Sequence, residues 1–124
     1  MNKQPFVWLL ILLWAPLSSV AQENNLATCD SLIRKGVNLM LEKKHTQSLE
    51  LLVKAQSMAR DNNWDKQQFL AINNIGANYY SMLDYGEALD NYLEAYTIAI
   101  KELDAKYEMI VLNNIAILYM KEEK

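Results

Sequence analysis

Apolar side chains recur along most of this chain at helical spacing. Ile72, Ile75, Gly76 and Tyr79 stand at i, i+3, i+4 and i+7 and so share one helical face. Ala88, Tyr92, Ala95 and Ala99 form a second such stripe. Between the two, Leu83-Asp84-Tyr85 reads as a turn. Asp84, with Glu87 three residues on, resembles a capping box, so the second helix is predicted to start at about Tyr85. Gly86 then falls in the first turn, where its weak helix propensity matters little. The same reading along the chain predicts helices over 28–42, 46–61, 66–82, 86–102 and 106–121, with joints at Asn62-Asn63 and Leu103-Asp104. Beyond Pro16 there is no proline, and the whole chain has three glycines. Strands and their turns need more of that punctuation, so the fold class is all-α.

The chain also repeats itself. Asn73-Asn-Ile-Gly-Ala-Asn-Tyr-Tyr80 returns forty positions later as Asn113-Asn-Ile-Ala-Ile-Leu-Tyr-Met120. Stepping back by the same interval pairs Gly76 with Gly36, Tyr79 with Leu39, Leu89 with Leu49, Ala95 with Ala55 and Ala99 with Ala59. A fixed period of this length is the mark of a repeat array in which each unit is a helix pair. The units span about 28–63, 66–103 and an incomplete 106–124.

These residues resemble the tetratricopeptide repeat (TPR). Ile72, Ile75-Gly76 and Tyr79 match the first helix of its motif, and Ala88, Tyr92 and Ala95 match the second, without a gap. The first unit matches less closely, through Leu32, Lys35-Gly36, Leu39, Ser48, Leu52 and Ala55. The third supplies Leu112, Ile115-Ala116 and Tyr119. The resemblance implies a right-handed α-solenoid of antiparallel helix pairs. Within it, Gly36, Gly76 and Ala116 would let the helices of a unit approach closely, and Ala55 and Ala95 would do the same between units. The usual unit is about 34 residues with a closing Pro. Here the period is longer and Ile100 stands in place of that Pro, so the second helix is expected to run on by one to two turns. This is similar to the longer-helix variant of bacterial regulators and sensor ectodomains. Armadillo and HEAT repeats share the period but not the Gly, Tyr and Ala placement.

The N-terminus is different in kind. Lys3 precedes an apolar run from Phe6 to Leu17, broken by Pro16, and Ser19 and Ala21 fit a signal-peptidase site before Gln22. A spanning helix needs about 20 apolar residues, so the run is too short to cross a bilayer. We read 1–21 as a secretory signal peptide and 22–27 as a short exposed segment, which places the mature chain outside the cytoplasm, in a bacterial periplasm or beyond. Leu26-Ala-Thr-Cys29 resembles a lipoprotein box, but Glu23-Asn24-Asn25 separates it from the apolar run. Cys29 therefore reads as a small residue at the start of the first helix. No asparagine lies in an Asn-x-Ser/Thr acceptor.

A net charge of −3 offers no electrostatic footprint for nucleic acid or anionic lipid. With one His and one Cys, the chain has no disulfide of its own, no metal-ligand cluster and no nucleophile–base pair. His45 takes the register of Tyr85 and reads as a surface turn residue. No phosphate loop is present, and no catalytic residue, cofactor or metal is expected.

The functional expectation is therefore a non-enzymatic interaction module that recognises a protein or peptide segment. The resemblance implies a concave groove lined by the first helices of the units: Ile33, Val37 and Met40, then Leu70, Asn73, Ala77 and Tyr80, then Asn113, Ile117 and Met120. The clamp that some TPR proteins use for a C-terminal carboxylate is not matched. Of its positions only Asn74 fits, while Ile33, Val37, Ile110 and Asn114 occupy the others. A groove ligand should be largely apolar, with amides offered by Asn73 and Asn113. The last predicted helix carries an apolar face with no partner helix. That face suggests the front part of a longer sensory or scaffolding protein, self-association through that helix, or a half repeat that caps itself. The alternative functional class is a helical small-molecule-binding domain, or an accessory part of an enzyme whose active site lies elsewhere.

Overall fold

The computed structural model describes residues 26–123, and all secondary structure among them is helical. Helix α1 covers 26–41, α2 His45–Asp61, α3 Asp65–Ser81, α4 Tyr85–Glu102 and α5 Ala105–Glu122. The leader and residues 22–25 lie outside the described residues. Leu26 and Ala27, expected in an exposed tail, instead form the exposed start of α1.

The first three joints are copies of one another. Lys43, Asn63 and Leu83 each adopt a left-handed conformation (φ 63, 57 and 65°). In each case the next amide reaches back to a carbonyl five residues earlier: Lys44 to Leu39 (2.8 Å), Trp64 to Ala59 (2.9 Å) and Asp84 to Tyr79 (2.9 Å). This is the Schellman closure, which satisfies the orphan carbonyls at a helix end and turns the chain back on itself. Lys and Leu are unusual occupants of that conformation, since a side chain there costs about 1–2 kcal/mol. The fourth joint differs, because Leu103 is extended (φ −127°, ψ 175°) and its side chain packs on the core. Helix α4 starts at Tyr85, with the Asp84 carboxylate accepting from the Glu87 amide at 3.3 Å. It runs on past Ile100 to Glu102, the predicted bound, and stops where the chain extends at Leu103.

Helices α2 to α5 pack on one another in chain order, α3 also touches α5, and Gly36 of α1 faces Leu52 of α2. Two apolar clusters result. Cys29, Ile33, Leu52, Ala55 and Ala59 of α1 and α2 meet Ala71 and Ile75 of α3. Phe69 and Ile72 of α3 meet Ala88, Tyr92, Ala95 and Ala99 of α4 and Val111 and Leu118 of α5. Helix α3 is thus buried on two sides. The forty-residue period is visible in three dimensions: residues 41–50 and 81–90 have the same order of buried and exposed positions, and 51–60 differs from 91–100 only at Ser57 against Thr97.

The close approaches fall where the repeat put its smallest residues. A Cβ at Gly36 would lie 2.7 Å from Leu52 Cγ. One at Gly76 would lie 2.7 Å from Tyr92 Cδ1 and 3.3 Å from the Ala88 carbonyl oxygen. At the third equivalent position, Ala116 is exposed.

Two predictions follow from this geometry. Gly76→Ala should destabilise the chain by about 1–3 kcal/mol through overpacking against a rigid ring and a carbonyl. Gly36→Ala should cost less because Leu52 is flexible, and Ala116→Leu should change stability by under about 0.5 kcal/mol. Chemical denaturation of the three variants checks the order, and equal effects at 76 and 116 would contradict it. Leu83→Gly should stabilise by roughly 0.5–1 kcal/mol by relieving the left-handed side chain. A lowered thermal midpoint would show that Leu83 makes compensating contacts.

Candidate functional site

The carboxyl-terminal turns of α1 and α3 and the middle of α5 converge on a shallow cleft of about 200 Å³, with α4 beneath it. Met40, Ala77, Tyr80, Ser81, Asn114 and Ile117 form its walls, and the Tyr92 ring forms its floor. Tyr92 comes to lie there because Gly76 has no side chain, so the ring slides over α3 toward the cleft. Tyr80 also lies 5.7 Å from the Tyr85 ring, which fixes the rim aromatic. The lining is chiefly apolar, with Asn114, Ser81, Tyr80 and Tyr92 as the residues that carry hydrogen-bonding groups.

Four of the ten expected groove residues, Met40, Ala77, Tyr80 and Ile117, meet in this cleft. Asn113 and Met120 are exposed on α5 but do not line it. Val37 and Leu70 are half-buried against the core clusters. Ile33 and Asn73 retain 7% and 8% exposure, so neither offers an open surface. The expectation that Asn73 presents a free amide needs correcting, because its Oδ1 accepts from Asn114 Nδ2 at 3.0 Å and this bond ties α3 to α5. Asn74 is half-buried, its Nδ2 donating to the Leu70 carbonyl one turn back in its own helix at 2.7 Å. Asn114, Ser81 and Tyr92 were not expected in the groove. The recurrence of Asn73-Asn74 as Asn113-Asn114 was the signal that could have marked the first of them.

A buried polar chain lies behind the cleft, between the first two units. Ser48 Oγ donates to the Gly36 carbonyl, and Asn78 Nδ2 donates to Ser48 Oγ at 2.9 Å. His45 Nδ1 lies 3.0 Å from Asn78 Oδ1. An amide oxygen only accepts, so the imidazole Nδ1 carries the proton. His45 is therefore half-buried and bonded, not the solvated turn residue expected, because the start of α2 is drawn against α3. Its partners hold it as a structural tie.

Cys29 is buried and its thiol donates to the Ala55 carbonyl at 3.4 Å. Burial, with a smaller contribution from the Asp30 charge, pushes the thiol up from its ordinary value, which disfavours the nucleophilic thiolate. Among the described residues, no group of three metal-ligating side chains comes together, and no helix is long and apolar enough to cross a membrane. No protein-family profile, no curated protein and no solved structure matches this chain.

Burial, and secondarily the proximity of Tyr80, pushes the Tyr92 phenol from 10.0 up to about 12. The folded state thus holds this proton more tightly than the unfolded chain. The stability it contributes is complete below pH 10 and is lost as pH rises through about 12. Ultraviolet titration should show one tyrosine ionising near pH 12, and Tyr92→Phe should shrink the alkaline loss of stability between those values. Ionisation of all tyrosines near pH 10 would place Tyr92 in water.

Proposed function

We propose that this chain is an exported, non-enzymatic interaction module, built as a TPR-like right-handed solenoid, that recognises a protein segment through the cleft between α1, α3 and α5. What carries the reading is the convergence of Met40, Ala77, Tyr80 and Ile117, from three helices forty residues apart in register, on one apolar depression. Apolar clefts with a few oriented polar groups suit an inserted side chain flanked by a backbone hydrogen bond. At about 200 Å³ the cleft is smaller than the roughly 300–1,000 Å³ of sites that enclose a drug-sized ligand, which favours a peptide side chain over a cofactor. The forty-residue recurrence of burial and of the glycine contacts supports the TPR-like reading. The leader and its small-residue cleavage pattern support export.

The test begins with selection of peptides from a random library on the full chain, followed by calorimetry of the best binder. Tyr80→Ala and Ile117→Ala should each weaken it by about tenfold, corresponding to about 1.4 kcal/mol, with helix content unchanged by circular dichroism. Unaltered affinity in both variants would remove the cleft from the binding surface. A thermal shift with a small metabolite but with no peptide would favour the small-molecule reading instead.

A further inference from the structure

Tyr92 carries one atom that its packing does not use. The residue is 3% exposed, and the edge of its ring lies over Gly76. Leu52 takes the same place over Gly36 one unit earlier, so the position calls for bulk and not for a hydroxyl. Tyr92 makes no hydrogen bond with any described residue. Among those residues no fully buried side-chain oxygen lacks a partner, so the Tyr92 hydroxyl is the part that reaches solvent, at the cleft the ring floors. Burial and the nearness of Tyr80 keep the proton on this oxygen up to about pH 12, which makes it a donor at every physiological pH. The cleft lies inside the array, walled by α1, α3 and α5 with α4 beneath. An occupant that fills it takes the hydroxyl out of water and has to supply an acceptor, since a buried polar group left unpaired costs binding energy.

On the reading of the cleft as a binding site, we infer that Tyr92 is its specificity-determining donor. The occupant is a large apolar side chain of a partner segment whose own backbone carbonyl accepts from the Tyr92 hydroxyl. The acceptor is neutral. Burial disfavours a phenolate at this oxygen, and the same surroundings disfavour a carboxylate placed against it. No Lys, Arg or His lines the cleft to offset such a charge. Met40, Ala77, Tyr80 and Ile117 offer the apolar walls, and a volume of about 200 Å³ suits one side chain with its amide beside it. A backbone carbonyl is the neutral acceptor that accompanies every side chain of a polypeptide, so a partner segment brings both groups together.

Three probes test this, each titrated into the full chain and followed by the chemical shifts of Tyr80, Tyr92 and Ile117. Acetyl-phenylalanine methylamide is neutral, acetyl-phenylalanine is a carboxylate at pH 7, and propylbenzene has the ring without an acceptor. The methylamide should bind saturably with a millimolar or tighter Kd, and the carboxylate about tenfold more weakly. Tyr92→Phe keeps the ring over Gly76 and removes only the donor. It should weaken the methylamide about fivefold and leave propylbenzene bound as tightly as before or more tightly, with helix content kept. Equal affinity of the methylamide for the parent and Tyr92→Phe overturns the inference while leaving the cleft reading in place. So does a preference for the carboxylate. If no probe shifts Tyr80 or Ile117 the inference also falls, and the effect of Tyr80→Ala on the library-selected peptide decides the cleft reading separately. A Tyr92 hydroxyl proton already protected from exchange in the chain alone, with every probe excluded, would make a segment of this chain the occupant and overturn it as well.

Discussion

A side chain does not fit at Gly76. The Tyr92 ring and the Ala88 carbonyl fill the space a methyl would need, and from that exclusion much of the arrangement follows. It sets α4 close on α3, carries the Tyr92 ring across to the floor of the cleft, and holds the phenol where burial raises its proton affinity. Gly36 and Leu52 repeat the contact one unit earlier with an aliphatic side chain in place of the ring. Close-packed interiors respond to single methyl groups, so a small residue facing a large one fixes the distance between two helices more firmly than a general apolar surface would. The third occurrence, Ala116, shows the same surface without its cover.

The two joints between units are built differently although the backbone repeats. At the first, Ser48, Asn78 and His45 form a hydrogen-bonded chain joining α1, α2 and α3. At the second, the same three positions are Ala88, Leu118 and Tyr85. All three have changed together, as a polar network demands, since a half-satisfied one is worse than an apolar core. Among the described residues no buried side-chain nitrogen or oxygen lacks a partner. A polar joint in one place and an apolar one in the other gives each helix a preferred neighbour, so that α3 meets α2 by hydrogen bonding and α5 meets α4 by shape. Phe69 against the edge of Tyr107 (5.3 Å, 78°) adds to the second joint only.

The cleft and the open α5 face are consequences of the same repeat seen from two sides. Residues one step off the core stripe, Met40, Ala77, Tyr80 and Ile117, meet across α1, α3 and α5, with Tyr92 of α4 beside them. On the stripe itself, Met109, Leu112 and Tyr119 of α5 are exposed. The buried Cys29 thiol and the bonded His45 ring are both tied into structure.

The sequence by itself determined the helices, their order and their period. Helical spacing of apolar residues is a local property, and every predicted helix lies within two residues of its observed bounds. It also marked Gly36 and Gly76 as sites of close approach, because the repeat aligned them, whereas Ala116, aligned with both, is exposed. What it did not determine is which members of the groove set remain open. Ile33 and Asn73 lie on the expected face, but Ile33 packs into the cluster with Ala71 and Ile75, and Asn73 is drawn into a bond with Asn114 forty-one residues away. The placing of His45 was also a long-range matter, since its partner Asn78 belongs to the next helix pair. Spacing along one helix fixes the direction in which a side chain leaves the axis. Only the neighbouring helices, brought together in three dimensions, decide whether it meets water, a ring or another amide.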